Sequence, residues 1–188
     1  MALIPQPTLT TDRLILRSWR EADRAPFAEL NADPRVMEFM PQLLSREQSD
    51  DFFDRIQAHF DEHGFGLCAA EHRLTGEFMG FIGLLVPKFE APFMPAVEIG
   101  WRLGSRWWGQ GLATDGGREM VRYAFAEIGL DRLVSFTTPA NTRSRRVMEK
   151  LGMTHDPADD FEHPRLPPGH PLRQHVLYRL RAGKTSAA

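Results

Sequence analysis

RWWGQGLA, Arg106–Ala113, lies between an alternating apolar stretch and a helix-forming one, and its two glycines set how the rest of the chain is read. Without Cβ atoms, Gly109 and Gly111 let the backbone take positive φ and lie close to a ligand. Successive N–H groups of such a turn point the same way. The helix start beyond them adds unpaired donors and the positive end of a dipole. Together these suit a pyrophosphate, with Arg106 and the Thr114 hydroxyl placed to assist. Two commoner phosphate motifs do not fit. A P-loop needs Lys-Ser/Thr after its second glycine, where this chain has Leu112-Ala113. A dinucleotide fingerprint needs Gly or Ala three residues after the second glycine, where Thr114 stands. On spacing alone, an ordinary strand-to-helix turn stays open.

The stretch before the loop, AVEIGWRL (Ala96–Leu103), reads as a strand. Val97, Ile99, Trp101 and Leu103 fall on one face, and Glu98, Gly100 and Arg102 on the other. The stretch after it reads as a helix to about Gly129, with Met120, Val121, Ala124, Phe125 and Ile128 inward. Further out, Arg13–Trp19 alternates as a strand and Glu21–Asn31 is helical. Asp33-Pro34 reads as an N-cap with proline at the first helical position. Ser45 and Gln48 form a capping box for a helix to about His63. Phe65–Glu71 and Glu77–Val86 pair as a hairpin through Leu74-Thr75-Gly76. Leu133–Thr137 is a strand, Asn141–Leu151 a helix stopped by Gly152, and His175–Leu180 a last strand. His155–Pro171 reads as a long loop. The order β-α-α-β-β-β-α-β-α-β-β is a mixed α/β (α+β) layer fold in a single domain over 1–188, with its core at about 10–181.

The 188 residues can bury one core. A formal net charge of −2 removes a general electrostatic case for nucleic acid or an anionic membrane. Cys68 is the only cysteine, which excludes an internal disulfide and a cysteine-built metal site and fits a cytoplasmic location. The N-terminus does not read as a secretory signal, and no apolar run approaches the ~20 residues that span a bilayer. His155, Asp156, Asp159, Asp160, His163, His170 and His175 invite a metal reading, but none has helical metal-site spacing. A solvated loop is the plainer reading, and no metal is expected. Its carboxylates would favour a cationic amine if they lined an acceptor pocket.

Arg-x-x-Gly-x-Gly-x-Ala resembles motif A of the GNAT (Gcn5-related N-acetyltransferase) superfamily. NTRSRRVMEKLGM, Asn141–Met153, resembles that family's second coenzyme motif, and TTDRLILRSWREAD resembles the opening of its RimJ/RimL-like branch. The resemblance covers about Thr10 to Leu180. It implies a mostly antiparallel central sheet, splayed between the family's fourth and fifth strands and flanked by helices. It implies acetyl-CoA as co-substrate, its pantetheine lying in the splay against backbone groups of Trp101 and Leu103 like an added strand. The pyrophosphate would rest on Arg106, Gly109, Gln110, Gly111, Leu112, Ala113 and Thr114, and Asn141 would turn its amide to the pantetheine. Asn141 is equally a helix N-cap.

The implied activity is N-acetyl transfer to a primary amine, a protein N-terminus or a small molecule, by direct attack in a ternary complex. The protein acting would be a monomer or homodimer with no nucleic-acid or membrane partner. Amines are largely protonated at neutral pH, so a base is needed. Glu98 is the candidate, since the branch often has a carboxylate there; the alternative is a pair with an arginine such as Arg102. With an ordinary carboxylate, Glu98→Gln should hurt turnover most at low pH. A backbone N–H at a bulge over Ile99–Trp101 would meet the developing oxyanion. Many relatives protonate the leaving thiolate with a tyrosine where Met148 stands; Ser144, one turn earlier, is the available hydroxyl and Tyr178 a second choice. Cys68 has no base beside it to make it a nucleophile. Trp107 and Trp108 are core, or cover the coenzyme entrance. Two rivals remain: a catalytically silent CoA-binding sensor or interaction module, and a nucleotide-phosphate enzyme using the same loop.

Overall fold

The computed structural model describes residues 7–183. In chain order the elements are β1 (Leu9–Thr10), β2 (Leu14–Arg17), α1 (Arg24–Ala32), α2 (Arg46–His63), β3 (Leu67–His72), β4 (Phe78–Leu85), β5 (Glu98–Leu103), α3 (Leu112–Ala126), β6 (Arg132–Thr137), α4 (Thr142–Lys150), β7 (Thr154–His155), β8 (Phe161–Glu162) and β9 (Gln174–Arg181). They build one sheet in the order β1-β2-β3-β4-β5-β6-β9-β7, with β8 added to β9. Every neighbouring pair is antiparallel except β5 and β6. β5 and β6 correspond to the fourth and fifth strands that the sequence resemblance implies, because β1 precedes the first.

Helix boundaries follow local chemistry. Ser45 Oγ accepts from the Gln48 N–H while Gln48 Oε1 accepts from the Ser45 N–H, and Gly64 at φ 74° closes α2. Asn141 caps α4 by accepting from the Ser144 N–H at 3.2 Å, and Gly152 follows it at φ 80°.

Strand alternation divides the core into two layers. Ile82, Leu14 and Leu16 face α3, whose Gly116 lets the helix settle on them; a Cβ there would lie 2.6 Å from Ile82 Cδ1. Phe81, the next residue along from Ile82, points the other way and meets Phe27 of α1 and Phe52 of α2. Trp19 joins this second layer, and its indole donates to the Leu67 carbonyl at 2.6 Å. Beside it Arg17 is buried between Asp23 and Glu71, both at 2.7 Å.

Three sequence expectations need correction. Asp33-Pro34 starts a turn, not a helix. Asp33 accepts from the Arg35 and Met37 N–H groups, but the chain reaches Pro41, which has no N–H to continue the ladder. The segment 155–171 is a solvated loop only in part: 155–163 is held to β9 and a small core, while 164–171 stays in turns and largely exposed. Phe161 and Glu162 pair with His175 and Gln174. Asp159 binds Arg179 at 2.6 Å, Asp160 binds His155 at 2.7 Å, and Glu162 binds Arg173 at 2.9 Å. Phe161 and His163 pack with Phe89, Phe93, Phe136 and His175 into a second small core. These carboxylates are therefore engaged within their own chain, Asp159 and Glu162 by arginines and Asp160 by an imidazole. The expected bulge is also displaced: β5 keeps continuous register with β4, and the irregularity lies between β3 and β4, at Ala70/Glu71.

Candidate active site

β5 and β6 meet at one register pair, Glu98 with Val134, and the Val134 N–H donates to the Val97 carbonyl at 2.9 Å. Beyond that pair β5 stays bonded to β4, from Leu85–Glu98 to Gly80–Leu103, while β6 stays bonded to β9. Each strand follows its own neighbour, and right-handed twist carries the two apart. The sheet opens there, leaving the facing edge of β5 without a strand partner past Glu98.

A cleft of about 440 Å³ fills the opening. The glycine loop forms one end, with Gly109 at φ 74° and Gly111 at φ 77°. Gly111 is also the N-cap of α3 and carries no side-chain cap, so the first-turn N–H groups stay available. Arg13 braces this loop from behind. It donates to the carbonyls of Gln110 at 2.7 Å and Gly111 at 3.4 Å, and it binds Asp115, which also accepts from Thr11. Because a peptide is planar and trans, holding those carbonyls directs the N–H groups of Gly111 and Leu112 away from Arg13. Sequence reading had no signal for this role, since Arg13 lies about a hundred residues from the loop.

Trp101, Leu103, Gly109, Gly111, Leu112, Ala113, Thr114, Asn141 and Ser144 all line the cleft. Two residues of the expected phosphate site direct their side chains elsewhere. Arg106 pairs with Glu77 at 3.1 Å and lies over the Trp107 ring, and Gln110 donates back to the Arg106 carbonyl at 2.9 Å. The cations lining the cleft are Arg35, Arg102, Arg143, Arg146 and Lys150, with no carboxylate among the described lining residues. The α4 cations follow from a helix repeat that was read only as a motif. The turn after Asp33 supplies Arg35, Val36, Phe39 and Met40 as a wall; Glu38 in it reaches Arg143 of α4 at 2.7 Å.

Asn141 fills both readings in part. Its Oδ1 caps α4, its Nδ2 donates to Thr137 Oγ1 at 3.0 Å, and its side chain borders the cleft. The Leu103 carbonyl accepts from Trp108 Nε1 at 2.8 Å, which ties this tryptophan to the cleft mouth. Trp107 stacks on His72. Met148 is core. Tyr178 is buried and away from the cleft lining, donating to Glu149 at 3.1 Å and accepting from Arg145. Cys68 is buried, and desolvation pushes its thiol up to about 12, which leaves it inert.

Glu98 stands at the apex of the opening. Its cross-strand neighbours are Leu85 and Val134. The expected alternative, a pair with Arg102, is not formed; Arg102 donates to Asn31 Oδ1 at 2.6 Å instead. With no compensating cation, desolvation pushes the Glu98 carboxyl up to about 8. A raised carboxyl at the strand junction, an open strand edge and an anion-ready loop together suit an extended, phosphorylated ligand with chemistry near that junction.

Comparison with known proteins agrees with this geometry. A family described as "Acetyltransferase (GNAT) domain" matches residues 13–154. The chain is 37% identical over 166 residues to the FsC-acetyl coenzyme A-N(2)-transacetylase of Aspergillus fumigatus, covering 82% of this chain and 68% of that protein. It is 25% identical over 159 residues to the [ribosomal protein uS5]-alanine N-acetyltransferase of Escherichia coli, covering 79% of each. An acetyltransferase structure from Agrobacterium tumefaciens superposes with a TM-score of 0.74 at 29% identity, covering 94% of this chain and 95% of that one.

Proposed function

Because the chain belongs to the GNAT acetyltransferase family, we propose that it moves the acetyl group of acetyl-CoA to a primary amine by direct attack in a ternary complex. The observation that carries this reading is the single-pair junction of β5 and β6 with Glu98 at its apex. Acetyl-CoA as donor is supported by the uncapped, glycine-opened start of α3 and by a cleft wall with cations and no carboxylate. The acceptor class is supported by the names of two relatives, one acetylating an N(2) nitrogen and the other a protein alanine.

When bound, acetyl-CoA supplies an acyl group activated as a thioester. The residues of the chain do the rest. N–H groups of Gly111 to Thr114 hold the pyrophosphate, and Arg146 and Lys150 add positive charge along the same wall. The free edge of β5 at Trp101 orients the amide-bearing arm by strand addition. Glu98 takes the proton from the acceptor ammonium. A carboxyl at about 8 matches an α-amine near ~8, so the transfer runs nearly level. Ser144 donates toward the departing sulfur in this reading, which its position on the cleft wall supports.

The test is release of coenzyme A thiol from acetyl-CoA against peptides with free N-termini, polyamines and aminoglycosides. Amine-dependent release is expected. Coenzyme binding with no release from any amine would return the chain to the class of silent binding modules.

A further inference from the structure

We propose that Arg102 forms an anion subsite for the acceptor, so that the preferred acceptors are amines bearing a carboxylate several bonds from the reacting nitrogen. This rests on the acetyl-transfer reading above and names the substrate class of the same site.

Arg102 is paired across the sheet with Phe81, so it shares the face that looks toward α1 and α2. Glu98, four residues earlier, lies on that face too. Arg102 borders the cleft. It donates to Asn31 Oδ1 at 2.6 Å and to Met40 Sδ at 3.1 Å, and it lies 5.3 and 5.7 Å from the ring centroids of Phe81 and Phe52. Both polar partners are neutral. Two of the five N–H donors are used, and the others have no partner among the described residues.

The surroundings are built, not incidental. Asn31 is fully buried, and its Nδ2 donates to Ser49 Oγ at 2.9 Å, also fully buried. That bond fixes which end of the amide faces Arg102. A chain from α2 through α1 therefore holds the guanidinium in place without neutralising it. Two other arginines at the cleft are paired with carboxylates, Arg35 with Asp33 and Arg143 with Glu38, whereas Arg102 is held by neutral groups. Holding a desolvated cation without an anion is costly, and burial alone pulls Arg102 down to about 10. An incoming carboxylate would make a bidentate pair with it and relieve that cost.

Position assigns the anion to the acceptor and not to the donor. Trp101, paired with Ile82, faces α3 and the glycine loop, whereas Arg102 faces the opposite layer with Glu98. Glu98 and Arg102 are separated by roughly 13 Å of strand between Cα atoms. An acceptor with its amine near Glu98 and its carboxylate at Arg102 must space the two groups. The same charge disfavours diamines and polyamines.

Three amines of matched length test this: 6-aminohexanoate, hexylamine and 1,6-diaminohexane. Thiol release should give 6-aminohexanoate a kcat/KM about tenfold or more above hexylamine, with the diamine lowest. In Arg102→Gln the ratio of the first two should fall to about one, whatever the absolute rate. Hexanoate should bind the CoA-saturated wild-type protein in calorimetry and compete with the amine, and Arg102→Gln should lose that binding. Equal kcat/KM for the three amines, or no hexanoate binding, would overturn the subsite. So would a weakened coenzyme affinity in Arg102→Gln at an unchanged acceptor ratio. Hexanoate binding without thiol release from any amine would leave the subsite standing and overturn the transfer reading instead.

Discussion

The place a Cβ would take on Gly100 lies 3.7 Å from Oε1 of Glu98, and no other non-adjacent heavy atom of the described residues comes within 4 Å of it. The glycine leaves a gap beside the proposed base, on the face where the acceptor has to approach. A side chain there should obstruct the acceptor and spare the fold, because Gly100 does not hold a positive φ. Gly100→Val is expected to keep the wild-type Tm within a few degrees and to keep coenzyme A affinity. Its acceptor KM should rise about tenfold or more, as expected when a methyl-sized clash enters a contact site. Steady-state kinetics beside a melting curve check this; an unchanged acceptor KM would show that the acceptor does not pass over Gly100.

The pH profile of Glu98 reverses the expectation for an ordinary carboxylate. Since its pKa is raised to about 8, the proton is held below that value and the base form accumulates as pH rises. Glu98→Gln should lower turnover by about 10²–10⁴-fold where the base is ionised. On an acceptor whose amine titrates below pH 6, and so is neutral across the range, the ratio of wild type to variant follows the Glu98 charge alone. That ratio should climb from pH 6 to about 8 and then level. A flat ratio across this range would remove Glu98 from proton transfer.

The same shift appears in stability. Unfolded, the group titrates near 4.5; folded, near 8. Between those values the native state binds the extra proton, so stability from this group is full below 4.5 and is lost as pH rises to 8. Glu98→Gln abolishes the loss. The Tm difference, variant minus wild type, should therefore grow from pH 5 to pH 9. His163 and His175, whose pKa values burial lowers, act in the acid range in both proteins and cancel in the difference.

What was legible in the sequence was whatever local chemistry determines. The Ser45–Gln48 capping box, the Gly111 and Gly152 conformations and the alternation through AVEIGWRL each specify their element without distant partners. They carried the fold and the backbone half of the candidate site. What escaped was long-range. The 155–171 segment looked solvated because its order comes from pairing with β9 and from aromatic residues contributed by the β4–β5 connection. Arg13 escaped because its contact closes the fold between β2 and α3. The Arg106–Glu77 pair escaped for the same reason: its partner lies on the neighbouring hairpin, outside the local glycine-loop pattern.

That last difference yields a sharp comparison. If the anion wall is α4 and not Arg106, removing Arg146 and Lys150 together should weaken coenzyme A about tenfold and flatten the salt dependence of its affinity. Both side chains line the cleft, and neither has an ion-pair partner among the described residues. Long-range charge at a partly exposed wall is screened by salt, so the wild-type advantage should shrink between 0.05 and about 0.5 M. Arg106→Ala breaks only an exposed pair with Glu77, of the kind worth little. It should shift coenzyme A affinity less than about twofold at any salt. Titration calorimetry of both variants at two salt concentrations separates the cases. A larger loss from Arg106→Ala than from the double variant would return the phosphate contact to the glycine loop's own arginine, and would mean that Arg106 leaves Glu77 when the coenzyme arrives.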